Sequence, residues 1–595
     1  MRNLKRALSL ALAAIMLIGM MVVSASAASY NDLTDKDQIV NKDAVSMLVS
    51  LGIIEGKPDG SYGPTENVDR AQMAKMLSVI MNKGVDNSAL YQSVNSGLTD
   101  ITSHWAKGHI NYCYTTGIIA GRGTGTFDPS ATVTALEAAK MLLVAVGYDP
   151  AIEGFEGADW AINVSVRADE QGIFEGFTKD LSAPLNRDDA ALLIYNALDV
   201  EMIQSYTTNN YPIAYSDHRT ILADKYGVIK VQGVVVANEW ASLASDDGDA
   251  ALKEGKTTIY NGEGIFSTTG NTTVSKEDAS LKTQTFNVST PVDMLGKTVN
   301  LYIKKTTILA DSTVYGDPVV SDVNTVVTTG ETVLYSGAKD PQVDYDKLLG
   351  ENGLTDKDAK YFWNYNSGKY IPNTTEKYGD KTANVKGATL TIIDNNGDGE
   401  VDYVLSVEKA LADITSVNSK KETVTVRTLG TLDNKDVVGY EDMAKEDVVL
   451  YVQYGGRTYL EKPEVVTGEM EHFNVKGTEK YMTVGGEKYK ADELETNART
   501  EVVKFDVTEC DKANGVQFET SYNFYLDDYG NVIAFEEVEA AAKNYALVLD
   551  SAFSTNMLNT SGRVKVLLPD GTTKTYELNW DNSVKSWKDE NNSAL

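Results

Sequence analysis

Two arginines stand where a helix least favours a cation. Arg70 and Arg187 each follow directly on a residue of N-cap type, Asp69 and Asn186, so each takes the first position of a helix. The aligned peptide dipoles make that end positive, and a cation there costs roughly 0.3–1 kcal/mol. An anion reverses the balance. Free N–H groups of the first turn and a two-pronged guanidinium would together hold a carboxylate or phosphate. The alternative is a solvated arginine with no ligand. The surrounding residues have capping-box types and spacing: Asp69 with Gln72, Thr134 with Glu137, Asn186 with Asp189. Capping alone explains those six residues. It does not explain the arginines.

The helices that carry these side chains show matching apolar stripes at i, i+3, i+4, i+7: Met73, Met76, Leu77 and Ile80, then Ala138, Met141, Leu142 and Ala145, then Ala190, Leu193, Ile194 and Ala197. They belong to a tandem repeat. Gly52-Ile53-Ile54-Glu55-Gly56 returns as Gly117-Ile118-Ile119-Ala120-Gly121, 65 residues on, and the same offset carries Tyr62 onto Phe127 and Pro64 onto Pro129. A third copy follows as Gly172-Ile173-Phe174-Glu175-Gly176 with Pro184. Each copy reads as helix, Gly-rich loop, helix. Trp105 and Trp160 stand twelve residues before the loop of copies two and three, and Val40 takes that place in copy one.

This pattern resembles the S-layer homology domain, which anchors bacterial surface proteins to the wall. Copy two carries the motifs as Asp100, His104-Trp105-Ala106, the Gly117–Gly121 loop, Phe127-Asp128-Pro129 and Thr134-Ala135-Leu136-Glu137. Copy one carries them as Asp32 or Asp35, the Gly52–Gly56 loop, Tyr62-Gly63-Pro64 and Asp69-Arg70-Ala71-Gln72. The resemblance covers about residues 29–203 and implies a pseudo-threefold helical bundle whose grooves bind a secondary cell-wall polysaccharide. The contact is often a pyruvate-ketal carboxylate on the motif arginine. Carried over, the polymer contacts are Asp69, Arg70 and Gln72 in copy one and Asn186, Arg187 and Asp189 in copy three. Thr134 and Glu137 are their equivalents in copy two, and Trp105, Gly56 and Gly121 shape the grooves. Copy two departs, with Ala135 in place of the arginine, and copy three has a shorter loop with no aromatic before its proline. Two competent grooves are expected, the first the more secure.

Residues 1–27 read as an export signal: Arg2, Lys5 and Arg6, an apolar run from Ala7 to Val23, then Ala25-Ser26-Ala27. An uncleaved membrane anchor is the alternative, and no later run is long enough to span a bilayer. Without the signal the chain has 51 basic and 85 acidic residues, a net charge of −34. That excludes nucleic acid as the natural partner and suits a solvated extracellular surface. Cys113 and Cys510 are the only cysteines and form no disulfide framework.

The expected organisation is multidomain: an N-terminal all-α bundle of three repeats (28–92, 93–150, 151–204) followed by several all-β, sandwich-like domains. Short Thr/Val/Tyr runs between Gly, Asn and Asp turns place the latter at 205–310, 311–410, 411–540 and 541–595. Asp394, Asn396, Asp398 and Asp402 have the alternate-oxygen spacing of an EF-hand loop, so Ca2+ is the one candidate cofactor. An Asn/Gly-rich β-turn is the competing reading, because strands rather than helices flank the segment and Leu405 stands where the loop's Glu belongs. His104 and His109 suit packing or capping better than a metal. The reading is therefore a non-catalytic surface-layer protein outside a bacterial cell, anchored to wall polysaccharide, with β domains for self-association or display. A wall-anchored polysaccharide- or peptide-degrading enzyme and an anchored adhesin are the alternatives.

Overall fold

The computed structural model describes residues 30–243, 251–262, 267–269, 282–304, 312–330, 345–367, 388–477, 479–492, 494–538, 546–555, 560–568, 571–581 and 586–588. The export signal expected at 1–27 lies outside them. Six helices occupy the N-terminal part: α1 (Lys42–Ser50), α2 (Arg70–Met81), α3 (Lys107–Thr115), α4 (Ala135–Val146), α5 (Trp160–Glu170) and α6 (Arg187–Leu198). The stripes on α2, α4 and α6 face one core. Met73, Leu77, Ile80, Ala138, Leu142, Ala190, Leu193 and Ile194 are buried there, with Met76 packed at its edge.

The three copies close into a ring through their backbones. The residue before each cap is extended and would leave its N–H and C=O as buried orphans. Instead Val68 N–H donates to Leu185 O (2.8 Å), Leu185 N–H to Val133 O (2.7 Å) and Val133 N–H to Val68 O (2.9 Å). Isolated bridges repeat the order: Asp69 with Thr132, Thr134 with Pro184, Asn186 with Asn67. Copy one thus meets copy two, two meets three, and three returns to one. This is the pseudo-threefold bundle that the family resemblance implied.

The bridges also correct one alignment. Pro184 sits at the place of Asn67 and Thr132, so Leu181, three residues earlier, matches Pro64 and Pro129. A backbone bond from Leu136 N–H to Leu181 O (3.1 Å) parallels those from Ala71 to Pro129 and from Asp188 to Pro64. Counting back, Lys179 takes the place of Tyr62 and Phe127.

From Ile203 onward strands dominate, and among the described residues the one α-helix there is Tyr345–Glu351. The chain divides into two compact units, the first holding residues 1–409, 434–438 and 451–460. In that unit the bundle packs on a six-stranded sheet built on Val228–Asn238, and α1 lies against the strand Val314–Val320. That strand pairs with Thr298–Lys304, so the expected break at 310/311 falls inside a sheet. A five-stranded sheet follows (Thr325–Thr329, Lys360–Trp363, Asn366–Ser367, Ala388–Asp394, Tyr403–Glu408). Its Phe362, Ile393 and Tyr403 share one apolar core with Ile229, Val231 and Leu301 of the first sheet. Short strands bury too little alone, and the two sheets supply each other's cover. The second unit contains the strands Ala410–Asn418, Thr423–Val426 and Gly430–Asp433, paired in that order. It also holds a six-stranded sheet over residues 465–537, filled by Met470, Met482, Phe505 and Phe524, and a four-stranded antiparallel sheet over 547–588.

Candidate anion-binding site

The caps form as their residue types dictate. Gln72 N–H donates to Asp69 Oδ1 (2.7 Å) while Asp69 N–H donates to Gln72 Oε1 (3.0 Å). Thr134 and Glu137 make the same reciprocal pair at 3.2 Å each way. In copy three Asp189 N–H donates to Asn186 Oδ1 (2.8 Å), but the Asp189 carboxylate turns to Lys179 Nζ at 2.5 Å.

The free N–H groups expected at these helix ends are not free. Arg70 N–H donates to Ala131 O (2.9 Å) and Ala71 N–H to Pro129 O (3.0 Å), while Arg187 N–H reaches Glu66 O (2.8 Å) and Asp188 N–H reaches Pro64 O (3.1 Å). Each first turn is thus stitched to the next copy, and the third donor goes to the cap. The helix terminus offers an anion its dipole but not its donors. Any ligand contact at these positions must come from side chains.

The two arginines differ sharply. Arg70 is 4% exposed. Its Nε donates to Phe127 O and its Nη2 to Ala120 O, both at 2.9 Å, and its guanidinium lies 4.4 Å from the centre of the Phe127 ring. Nη1 faces Glu137 Oε1 at 3.9 Å, and the same oxygen takes Arg122 Nη1 at 2.9 Å. Burial and the nearby Arg122 pull the Arg70 pKa down. Arg70 is a clamp from copy one onto the loop of copy two, and that loop needs Gly121: a Cβ there would stand 2.9 Å from Thr126 O.

Arg187 makes the equivalent reach from copy three into copy one, but with fewer commitments. Its Nε donates to Tyr62 O (2.8 Å), its guanidinium stacks 4.8 Å from the Tyr62 ring centre, and Tyr62 OH donates back to Arg187 O (2.6 Å). Arg187 is only half-buried, and among the described residues its Nη atoms take no partner. A planar cation fixed at Nε and by stacking, with both Nη groups unengaged among the described residues, suits a bidentate oxyanion. Of the two arginines the third copy's is thus the more exposed, although the sequence reading held the first copy's groove the more secure.

At the remaining interface both partners are missing together. Ala135 is fully buried, and Lys179 stands where the stacking aromatic would be. Trp105 is 55% exposed, in contact with the rings of His104 and His109. Its counterpart Val40 is more exposed, and Trp160 is half-buried beneath Lys140, so this position lies at the surface in all three copies. Gly56 packs against Leu33, 3.3 Å from where a Cβ would be. His104 Nδ1 accepts from Ala106 N–H (3.2 Å), and buried His109 contacts Ser78 Oγ through Nδ1 (2.6 Å) and Asp86 through Nε2 (3.6 Å).

The structure separates Asp35 from Asp32, which the sequence reading left open, and adds Asp188, which it passed over. Asp35, rather than Asp32, accepts from Tyr62 N–H (2.7 Å) and Gly63 N–H (2.8 Å), as Asp100 does from Phe127 and Asp128. The 65-residue offset from Asp100 to Asp35 was the signal for that choice. Asp188, buried, takes Asn41 N–H (3.2 Å) and Asn41 Nδ2 (3.0 Å), tying copy three to the start of α1. No sequence pattern marks it.

The acidic turn at 394–402 directs its oxygens inward. Asp394 accepts the N–H groups of Asn396, Gly397 and Gly399, Asn396 accepts that of Asp398, Asp398 that of Glu400, and Asp402 that of Asn395. Burial, followed by the neighbouring carboxylates Asp394 and Asp398, raises the Asp402 pKa against the Asn395 N–H. Among the described residues, no group of three His, Cys, Asp or Glu is arranged to hold a metal ion.

The three helical repeats thus form one ring, each carrying a cap and a loop and two of them an arginine clamp. The sequence matches the S-layer homology domain family over residues 29–74 and 97–139. It is 26% identical over 270 residues to a cell surface protein of Thermoanaerobacter kivui, covering 45% of this chain and 32% of that one. It is 33% identical over 113 residues to an S-layer protein of Bacillus licheniformis (19% and 12%) and 30% identical over 186 residues to an amylopullulanase of Thermoanaerobacterium thermosulfurigenes (29% and 10%). The chain thus spans a third or less of each relative's length. Its N-terminal region belongs to the S-layer homology domain family, and the chain is a cell-surface, cell-wall-associated protein. The third copy lies outside the matched residues, and its bridge and cap place it in the same ring. Among the described residues, no helix is long and apolar enough to cross a membrane.

Proposed function

We propose that this protein is a non-catalytic surface-layer component, held to the wall by its helical ring through an anionic secondary polysaccharide. The interface between copies three and one is the primary contact. A sugar-borne carboxylate, such as a pyruvate ketal, pairs with the Arg187 guanidinium, with Asn186 and Asp189 fixing the turn that presents it. Arg70, Asp69 and Gln72, with Glu137 opposite, set the shape of the neighbouring interface, and Trp105 lies on the exposed face of copy two. The β units associate with other copies of the chain.

The observation that supports this reading is Arg187 itself. It is locked at Nε and against Tyr62 in a half-buried position, and among the described residues its Nη donors take no partner. The test is sedimentation of the full chain with Gram-positive wall fragments that retain their secondary polymer, and with fragments stripped of it by acid. Co-sedimentation only with the first supports the proposal. Equal co-sedimentation with both rejects the polymer as the ligand.

A further inference from the structure

Against the same turn that holds Arg187 lies a second cation, Lys57, to which neither the repeat motif nor the arginine clamp gives a role. We propose that Lys57 is a second anion contact at the interface between copies three and one, and that Glu66 holds it in reserve. The inference rests on the reading of Arg187 given above.

Lys57 Nζ makes a close ion pair with the Glu66 carboxylate. Both heads lie across the backbone of Gly63: a Cβ built there would be 2.6 Å from Lys57 Nζ and 2.9 Å from Glu66 Cδ. Gly63 has a φ of 71°, and the next residue back is Tyr62. Tyr62 carries the Arg187 guanidinium on its ring and at its carbonyl, and Glu66 O accepts the Arg187 N–H at 2.8 Å. Lys57, Glu66 and Arg187 are therefore fastened to a single turn, Tyr62–Glu66.

The ion pair is at the surface, with the Glu66 side chain 55% exposed. Exposed pairs of this kind are weak and screened, so an incoming anion competes with Glu66 on nearly equal terms. The neighbouring interface is built differently. The 65-residue offset carries Lys57 onto Arg122, but Arg122 is bound by Glu137, a less exposed carboxylate that also faces Arg70. Gly63 becomes Asp128, which adopts the same left-handed φ (63°) and adds another acid 3.9 Å from Arg122. The counterpart of Glu66 is Ala131. Arg70 and Arg122 thus face the little-exposed Glu137, whereas Lys57 pairs with the exposed Glu66, with Asp35 and Asp59 in electrostatic reach, and the Arg187 guanidinium has no acid at salt-bridge distance among the described residues. A sugar bearing a carboxylate can take Arg187 in bidentate fashion and draw Lys57 away from Glu66 onto the same charge.

The test measures binding of the full chain to wall fragments that retain their secondary polymer, at several salt concentrations. Lys57→Gln should weaken binding about three- to tenfold and flatten its salt dependence, while Glu66→Gln should strengthen it about two- to fivefold. Arg187→Ala should weaken it by about tenfold or more. The gain on losing Glu66 is the diagnostic result, because damage to the turn would not improve binding. If Arg187→Ala abolishes binding while the Lys57 and Glu66 variants stay within about twofold of the parent, the second contact is wrong and the Arg187 reading stands. If Arg187→Ala binds like the parent, the anion reading fails and Lys57 falls with it.

Discussion

Replacing Arg70 by alanine separates the role of a clamp from the role of a ligand contact. The change leaves Phe127 O and Ala120 O without their donors inside the bundle and exposes the Phe127 ring face to a void. Each hydrogen bond from a charged donor contributes about 1.5–3 kcal/mol, and the ring contact about 0.5–2 kcal/mol. Against this, alanine removes the standing cost of keeping a guanidinium 4% exposed. A net loss of about 3–4 kcal/mol follows, close to what breaking a buried pair costs. For a helical unit of this size, that lowers the melting temperature by about 10 °C. The assay is thermal unfolding followed by helical circular dichroism, since most helices of the described residues lie in the ring. Arg70→Lys keeps the charge but cannot donate to both carbonyls, and it should recover less than half of the loss. Measured where it is still folded, Arg70→Ala should bind wall fragments within about threefold of the parent, because few of its donors face outward. A melting shift below about 1 °C, or lost binding with unchanged melting, would refute the clamp.

Four further outcomes follow. Burial, with Lys75 adding to it, lowers the His109 pKa despite Asp86, so its stabilising contribution is present above the unfolded value of about 6.5 and is lost as pH falls through the lower folded value. His109→Gln should flatten the melting temperature across that window, and an unchanged pH profile would count against it. Although burial opposes its charge, Asp100 is held below the ordinary carboxylate range by the N–H groups of Phe127 and Asp128. Asp100→Asn should therefore destabilise at neutral pH, and its difference from the parent should start to shrink as pH falls below about 3.9 and vanish only below the lower folded value. Gly108→Ala would place a Cβ 2.1 Å from Ser88 O, forcing α3 off the Ser88–Tyr91 turn at a cost of about 1–3 kcal/mol or more by denaturant unfolding. Asp394→Ala should loosen the 394–402 turn equally with calcium and with chelator, because the lost partners are backbone N–H groups; proteolysis at the turn that calcium suppresses in the parent would contradict this.

The caps, stripes and loop glycines were legible because they follow from local rules: a polar residue before an apolar period of 3.6, and a Gly where the backbone comes close to a neighbour. The closure of the ring was legible only through family resemblance. Val68, Val133 and Leu185 join by their backbones, and no side-chain pattern announces a backbone bond. The state of the arginines was hidden for a related reason. Arg70 and Arg187 occupy the same place in the repeat, and their difference comes from what the next copy presents: a loop carbonyl and Glu137 to one, a tyrosine turn to the other. Pro184 misled the third alignment because residue identity outweighed spacing in a copy whose loop is shorter. In the β half, turn residues marked where strands end, but not that two sheets share Ile229, Phe362 and Tyr403 in one core. Sheet partnership depends on burial across long sequence separation, which a single sequence does not display.

The most direct measurement is the affinity of the full chain for wall fragments retaining their secondary polymer, with Arg187 present and with Arg187→Ala. The account predicts at least a tenfold loss, about 1.4 kcal/mol, with melting of the variant reduced less than that of Arg70→Ala. Parent-level affinity in the Arg187→Ala protein would contradict it, and attachment would then need a contact other than this guanidinium.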